Sequence, residues 1–166
     1  MAQSRGKAFE VELKKSIEDL GILIERIPDK LFWNGRRLLS QQTKADFVAY
    51  AIKENHIIPM MIEAKATAQK SLPFDALQPH QKAALLAFDS FHSDSRAYIA
   101  VNFYDGINLR KGNLMFMVPI SVWVEAENKS GRKSLPIKTC SDDARIIKCP
   151  RTSGSKYNML NWAQSI

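Results

Sequence analysis

Two apolar runs, separated by a short polar turn, lie in the middle of the chain. Residues 45–52 are Ala-Asp-Phe-Val-Ala-Tyr-Ala-Ile, and residues 56–65 are His-Ile-Ile-Pro-Met-Met-Ile-Glu-Ala-Lys. Apolar runs of this length, joined by only three polar residues at 53–55, predict two adjacent antiparallel β-strands. This strand pair is the expected centre of the fold.

Three charged side chains occupy defined positions on these strands. Asp46 begins the first run, and Glu63 and Lys65 end the second. Glu63 and Lys65 are two residues apart, so they project from the same face of their strand. Two converging carboxylates and a lysine are typical of magnesium-dependent phosphodiester hydrolysis: the carboxylates hold the metal and the lysine stabilises charge on the phosphate. The alternative is a purely structural role, but charges within such apolar runs are costly unless they serve a purpose.

The flanking sequence alternates helical and extended patterns. An apolar stripe at Phe9, Leu13, Ile17 and Leu20 predicts a helix over 7–20 that ends at Gly21. Further patterns predict strands at 22–27, 97–103, 114–118 and 145–148, a polar loop at 66–74, and helices at 79–91 and 120–127. This order predicts an α/β fold in one domain, with a mixed β-sheet between layers of helices.

The helix predicted over 79–91 carries an unusual polar residue. Its apolar stripe includes Leu77, Ala84, Leu85, Phe88 and Phe91, and Gln81 falls on the same stripe. A glutamine on a buried helix face needs hydrogen-bond partners. Gln81 is therefore expected to contact another polar group inside the fold.

Residues 28–44 form a long connection with a basic and aromatic composition. Its four basic residues are Lys30, Arg36, Arg37 and Lys44, and its aromatic residues are Phe32 and Trp33. Basic residues interleaved with aromatics fit contact with nucleic acid bases and backbone. A partly buried loop whose aromatics simply pack is an equal alternative.

Length and composition restrict the class of protein. The chain has 166 residues and a formal net charge of +7. Residues 1–127 hold 16 Lys and Arg against 15 Asp and Glu, whereas residues 128–166 hold 8 against 2, so the excess lies in the last quarter. A localised basic region suits a polyanion such as DNA, although a solvated tail has the same charge. Neither a membrane span nor a signal peptide is evident, and the two cysteines have no zinc-binding spacing, so we expect a cytoplasmic protein.

Several short motifs resemble those of one nuclease family. They are Arg5-Gly6-Lys7-Ala8-Phe9-Glu10, Ala45-Asp46, Glu63-Ala64-Lys65, Ser71-Leu72-Pro73-Phe74, His80-Gln81 and Gly131-Arg132-Lys133-Ser134. In this order and at these spacings, they resemble the PD-(D/E)XK nucleases, and among these the RecU-type Holliday-junction resolvases of bacteria and their phages. The small size favours a phage source. Ala45 replaces the proline of the motif, and residues 150–166 match only vaguely.

The resemblance implies a restriction-endonuclease-like fold and a set of residue roles. Asp46, Glu63 and the carbonyl of Ala64 would hold Mg²⁺, for which Mn²⁺ could substitute, and Lys65 would be the catalytic lysine. Glu10 and Gln81 would support the metal or the attacking water. The expected DNA contacts are Arg5, Lys7, Lys14, Lys15, Arg36, Arg37, Lys70, Arg132 and Lys133.

The same resemblance implies an organisation and a substrate. Residues 1–137 would form the nuclease domain, with 28–44 as a protruding connection that is short for the family's junction-entering stalk. Residues 138–166 would form a basic C-terminal extension, packed on the domain or trailing it. A homodimer would introduce symmetric nicks into four-way DNA junctions. Residues 114–118, Trp123 and 28–44 are possible pairing surfaces, although each could be core. The alternatives are a non-catalytic recombination accessory protein and a general or restriction-type DNase.

Overall fold

The computed structural model describes residues 5–28, 30–33, 36, 38–41, 44–104, 113–129, 131–152 and 156–166. The helices are α1 (Arg5–Glu18), α2 (Pro79–Asp89), α3 (Ile120–Lys129), α4 (Ile137–Asp142) and α5 (Leu160–Ser165). The strands are β1 (Leu23–Arg26), β2 (Lys30–Trp33), β3 (Leu38–Gln41), β4 (Phe47–Lys53), β5 (His56–Thr67), β6 (Ser71–Pro73), β7 (Arg96–Phe103), β8 (Leu114–Pro119), β9 (Ser134–Pro136) and β10 (Ile147–Pro150). In this part of the chain, no helix is both long and apolar enough to cross a membrane.

Six strands form a mixed central sheet. Their spatial order is β1-β4-β5-β7-β8-β10. The β5–β7 pair is parallel, whereas all other neighbouring pairs are antiparallel. The predicted α/β class, with a mixed sheet flanked by helices, is confirmed. The predicted antiparallel pair of residues 45–52 and 56–65 is β4 and β5 at the centre of the sheet.

Each face of the sheet has its own core. The α1-side core includes Phe9, Leu13 and Ile17 from α1, packed with sheet residues such as Met60 and Ile62. The α2/α3-side core includes Leu85 of α2 and Trp123 of α3, packed with sheet residues such as Ile99 and Val101. Because successive strand residues point to opposite faces, β5 and β7 contribute to both cores.

The first helix lies slightly earlier in the chain than predicted. It spans Arg5–Glu18 rather than 7–20, so Leu20 follows its end. Gly21 adopts a positive φ of 74°, a conformation that costs glycine less than any other residue, and it ends the turn that leads into β1. The buried stripe of Phe9, Leu13 and Ile17 is as expected.

Residues 28–44 contain a β-hairpin rather than an irregular connection. Strands β2 and β3 pair antiparallel with each other in a separate two-stranded sheet. The sequence signal that could have found this hairpin is Asn34-Gly35 between two apolar runs, since Asn-Gly is typical of hairpin loops. The pairing of Trp33 with Leu38 leaves four residues between the strands. Arg37 lies outside the described residues.

The polar loop expected at 66–74 is also partly regular. Strand β5 continues to Thr67, and Ser71–Pro73 pairs antiparallel with Ser134–Pro136. The backbone N–H of Phe74 then donates to the carbonyl of Lys133 over 3.0 Å. The motifs at residues 71–74 and 131–134, which lie about sixty residues apart in the sequence, are therefore adjacent in space.

Several residues considered for a surface role are in the core, and one expected core residue is exposed. Leu114–Pro119 is an internal strand between β7 and β10, and Trp123 is fully buried, so neither is available for pairing with a second copy. Phe91 follows the end of α2 and is 85% exposed, so it does not belong to the buried stripe. Among the strand residues whose side chains the structure describes, the large apolar side chains with the greatest exposure are Ile52 and Ile57.

The last part of the chain contributes to the sheet and to the core. The predicted strand at 145–148 is β10, Ile147–Pro150, which forms one edge of the central sheet. Tyr157, Met159 and Trp162 belong to the α1-side core. Residues 138–166 therefore share the packing of the preceding residues.

Candidate active site

The pairing of β4 with β5 places two carboxylates side by side. Phe47 pairs with Ile62, so Asp46 lies beside Glu63 where β4 begins. Ile62 points into the α1-side core, and Glu63, the next residue of β5, therefore projects toward the opposite face. The backbone N–H of Ala64 donates to Oδ2 of Asp46 over 2.8 Å, which fixes the orientation of this carboxylate.

Lys65 and Gln81 complete a hydrogen-bonded cluster around Glu63. Nζ of Lys65 lies 2.8 Å from Oε1 of Glu63 and 3.2 Å from Oε1 of Gln81. Nε2 of Gln81 donates to Oε1 of Glu63 over 2.7 Å. The partner predicted for Gln81 on its helix face is thus Glu63. Three of the residues predicted from the sequence contact one another directly.

The first turn of α2 orients the amide of Gln81. Gln78 precedes the helix, and its backbone N–H donates to Oε1 of Gln81 over 3.1 Å, as half of a reciprocal capping box. This bond directs the amide oxygen toward Lys65 and leaves Nε2 for Glu63. Gln78 was missed by sequence reasoning, and the signal that could have found it was Gln-Pro-x-Gln at the helix start.

Burial raises the pKa of both carboxylates, and the charge of Asp46 raises that of Glu63 further. The side chain of Glu63 is 2% exposed. Burial, followed by the charge of Asp46, raises the pKa of Glu63 to about 7, against the opposing effect of Lys65. The pKa of Asp46 is also raised, chiefly by burial, although the Ala64 N–H lowers it. A shared positive charge would relieve both effects.

Glu10 is close enough to Asp46 for the two charges to interact, but its direct contact is with Arg26. Its pKa is raised by burial and then by the charge of Asp46. Its Oε2 lies 3.3 Å from Nη2 of Arg26, a residue that the sequence did not single out. Glu10 and Arg26 line a cavity of about 200 Å³ together with Lys7 and Lys14.

The residues fit a hard divalent cation such as Mg²⁺. Oε2 of Glu63 is buried and has no hydrogen-bond partner, so one carboxylate oxygen remains available as a ligand. Within the described ranges, no group of three or more His, Cys, Asp and Glu side chains is arranged to hold a metal ion. A cation here would therefore be held by Asp46, Glu63 and backbone or water oxygens, a set that Mg²⁺ accepts.

The basic residues predicted to contact DNA differ in their surroundings. Arg5 is only partly exposed, and its guanidinium carbon lies 5.1 Å from the centre of the Tyr104 ring. Lys14 is partly exposed and pairs with Glu18 at 3.1 Å and Glu25 at 3.7 Å. The others that the structure describes are exposed: Lys7, Lys15, Arg36, Lys70, Arg132 and Lys133.

Comparison with known proteins gives a similarity in structure without a match in sequence. No protein-family model matches the sequence, and no curated protein matches it. The chain is similar to the solved structure of Hjc from Archaeoglobus fulgidus, described as a Holliday junction resolvase from an archaeal hyperthermophile. The match has a TM-score of 0.40 and 20% sequence identity, and it covers 80% of this chain and 96% of that one.

Proposed function

We propose that this chain is a magnesium-dependent endodeoxyribonuclease that resolves four-way DNA junctions. The observation that carries the nuclease assignment is the cluster of Asp46, Glu63, Lys65 and Gln81. Two adjacent carboxylates with raised pKa values and one unpartnered oxygen face a single ammonium group, that of Lys65, so the site is short of one positive charge. A purely structural ion pair would be expected to satisfy that oxygen.

Each residue of the cluster has a distinct task in phosphodiester cleavage. Asp46 and Glu63 would hold the cation, which when bound polarises the phosphate and lowers the pKa of water. Lys65 is held within 2.8 Å of Glu63, so its ammonium group can stabilise charge that develops on a phosphate at the same face. Gln81 keeps Oε1 of Glu63 occupied, which leaves Oε2 as the oxygen that can bind a cation.

The preference for junctions rests on the motif resemblance and on how its segments converge. The Gly131–Ser134 motif lies against the Leu72–Phe74 motif through β6, β9 and the Phe74–Lys133 hydrogen bond. The latter segment leads into α2, which carries Gln81. Arg132 and Lys133 are exposed, and hydrogen bonds connect their segment to the one that leads into α2, the helix that contacts Glu63. This proximity supports a role for both residues in binding DNA beside the cleavage site.

Cleavage of a synthetic four-way junction tests this function. We expect nicking in the presence of Mg²⁺ or Mn²⁺, none with chelator, and much weaker nicking of linear duplex with the same sequence. Asp46→Asn should abolish nicking and retain junction binding, whereas Asp142→Asn, which removes an exposed carboxylate from α4, should leave nicking unchanged. Equal cleavage of duplex would favour a general DNase, and metal-independent binding without any cleavage would favour an accessory protein.

Symmetric resolution requires two active sites, so we propose a homodimer. Two identical sites related by a two-fold axis would match the near two-fold symmetry of a four-way junction. The mass in solution at micromolar concentration, together with cleavage maps of a junction labelled on each strand in turn, tests this. A dimer with cuts at matching positions on opposing strands is expected. A monomer that cuts one strand only would contradict the resolvase assignment.

A further inference from the structure

One half of the central sheet keeps apolar side chains exposed on the side that carries α2 and α3. Ala97 and Ile99 of β7 lie in the α2/α3-side core. Met61 pairs with Ala97 and Val48 pairs with Met61, so this side of the sheet continues onto β5 and β4, because directly paired residues point to one face. Along β1, β4 and β5 it is formed by the residues that we call the open face: Leu23, Val48, Tyr50, Ile52, Ile57, Pro59 and Met61.

The open face is apolar and only partly covered. Ile52 is 79% exposed, Ile57 is 64% exposed and Leu23 is 59% exposed. The alternation of β1 also brings Glu25 to the edge of this face, and Glu25 pairs with Lys14 at 3.7 Å. A contiguous exposed apolar surface of this kind is typical of a protein–protein interaction site.

Helix α2, which packs on β5 and β7 beside the open face, extends the apolar surface. Its lysine and its aspartate both have partners: Lys82 pairs with Glu127 at 2.9 Å, and Asp89 accepts from the backbone N–H of Ala97. Phe91, just after the helix, is 85% exposed. The spacing of three and four residues places a further set of exposed, uncharged residues on the outward side of the helix: Ala83, Leu86, Ala87 and Ser90.

The size of this surface matches one half of a dimer interface. A standard interface buries about 800 Å² per partner, of which about 57% is non-polar, so each partner supplies about 450 Å² of apolar area. Covering an aliphatic side chain removes about 60–120 Å² from water, and covering an aromatic one removes about 150–250 Å². Scaled by their exposed fractions, six side chains together supply about 330–600 Å²: Leu23, Tyr50, Ile52, Ile57, Leu86 and Phe91.

The chemistry of the surface favours a second copy of this chain as the partner. Contacts with the DNA backbone need Lys or Arg, and the open face and the outward side of α2 contain neither. A charged protein surface would leave its charges desolvated and unpaired here. In a dimer with two-fold symmetry the same patch meets itself, so an uncharged apolar patch is complementary to its own copy.

We propose that two copies of this chain pair through the open face, Phe91 and the outward side of α2. This inference rests on the proposed function for the homodimer, and it assigns the pairing to a surface that the sequence did not single out. Ile57 and Glu63 project to the same side of β5, six residues apart, so each active site lies about 20 Å along the strand from the contact. The two sites are then about 40 Å apart or less, close to the length of one turn of duplex, about 34 Å.

The mass of the protein in solution, measured by sedimentation equilibrium in chelator, tests this surface without any cleavage. At micromolar concentration the unmodified protein should have twice the 18.8 kDa mass of one chain. Ile57→Lys and Phe91→Asp each place a charge in the interface and should raise the dimer Kd by roughly 30-fold or more. Both side chains are exposed, so the far-UV circular dichroism of the variants should match that of the unmodified protein.

Two exposed apolar residues outside this surface provide matched controls. Val11 on α1 is 45% exposed and Leu160 on α5 is 55% exposed, and both helices contribute to the α1-side core on the other side of the sheet. Val11→Lys and Leu160→Asp introduce the same two charges and should leave the dimer intact. Loss of the dimer in these controls as well would show that added charge, rather than the proposed surface, causes the change, and would contradict the proposal.

A four-way junction extruded from a supercoiled plasmid shows whether two paired active sites act together. Two cuts within one binding event make the plasmid linear, whereas a single cut only relaxes it. Ile57→Lys leaves the cluster around Glu63 intact, so it should still nick the junction. Its product should be mostly relaxed circles, whereas the unmodified protein and Leu160→Asp should give mostly linear plasmid.

The outcomes separate this surface from the proposed nuclease activity. If Ile57→Lys and Phe91→Asp dimerise as tightly as the unmodified protein, the two copies pair elsewhere and this proposal is wrong, while the resolvase function stands. An unmodified protein that is monomeric both alone and on the junction would also overturn the proposal. If both variants are folded monomers but the unmodified dimer cuts no DNA under any condition, the surface stands and the nuclease function fails.

Discussion

Replacing Glu63 by glutamine should stabilise the metal-free protein while abolishing its activity. The pKa of Glu63 is raised from 4.5 to about 7 in the folded state. Below pH 4.5 the carboxyl is protonated in both the folded and the unfolded chain, so it has no effect on stability. Between pH 4.5 and 7 the unfolded chain loses the proton first, and the free energy of unfolding therefore falls as the pH rises.

The size of the change in unfolding free energy follows from the pKa shift of Glu63. A shift from 4.5 to about 7 corresponds to a loss of about 3 kcal/mol by pH 7, at about 1.36 kcal/mol per pKa unit. Glutamine resembles the protonated form: its oxygen can accept from Lys65 and its amide nitrogen can donate toward Asp46. Glu63→Gln should thus recover up to about 3 kcal/mol at pH 8, or roughly 6–12 °C in melting temperature for a chain of this size.

The assay is thermal unfolding in chelator from pH 4.5 to 8. The difference between Glu63→Gln and the unmodified protein should be close to zero at pH 4.5 and largest at pH 7 and above. Adding Mg²⁺ should raise the melting temperature of the unmodified protein but not that of the variant. A variant that melts at the same or a lower temperature at pH 8 would refute the view that Glu63 is held at a cost to stability.

Glu125 on α3 provides a control variant, for which the expected change in melting temperature has the opposite sign. Arg145 and Lys129 lower the pKa of Glu125 to about 2, so its ionised form stabilises the fold above its unfolded pKa of 4.5. That contribution is lost only as the pH falls toward 2. Glu125→Gln should therefore lower the melting temperature at pH 7, whereas Glu63→Gln raises it. The same direction for both variants would show that loss of net negative charge, rather than the site, causes the change.

Three other changes test the remaining contacts. Lys65→Met should reduce nicking at least 100-fold while the stabilisation by Mg²⁺ persists, because the lysine acts on the phosphate and does not hold the metal; loss of that stabilisation would make Lys65 part of the metal site. Arg132→Ala combined with Lys133→Ala should weaken junction binding and flatten its dependence on log salt by about 0.9 per lost phosphate contact, and an unchanged slope would exclude both residues from the interface. Arg151→Met leaves the Glu12 carboxylate without its cation, 3.1 Å away in the folded protein, and should lower stability by about 1–3 kcal/mol in urea unfolding.

The amino-acid sequence by itself determined the centre of the fold and the chemistry of the site. Residue alternation is a local property, so the spacing of Glu63 and Lys65 was sufficient to place them on one strand face. The apolar runs around Asp46 and Glu63 predicted the β4–β5 pair. The need of Gln81 for a polar partner also followed from its place on an apolar helix stripe.

Only the tertiary structure decided which of these faces meet. Gln81 reaches Glu63 because the parallel β5–β7 pairing brings α2 across the sheet, and no local periodicity predicts that crossing. Phe91 and Trp123 are both aromatic residues of predicted helices, yet Phe91 is 85% exposed and Trp123 is fully buried. Asn102 looks like any polar residue in a strand, but it is fully buried and its amide has no hydrogen-bond partner in the part of the chain that the structure describes. Periodicity specifies the direction of a side chain relative to its own element, whereas its burial depends on what the rest of the chain places above it.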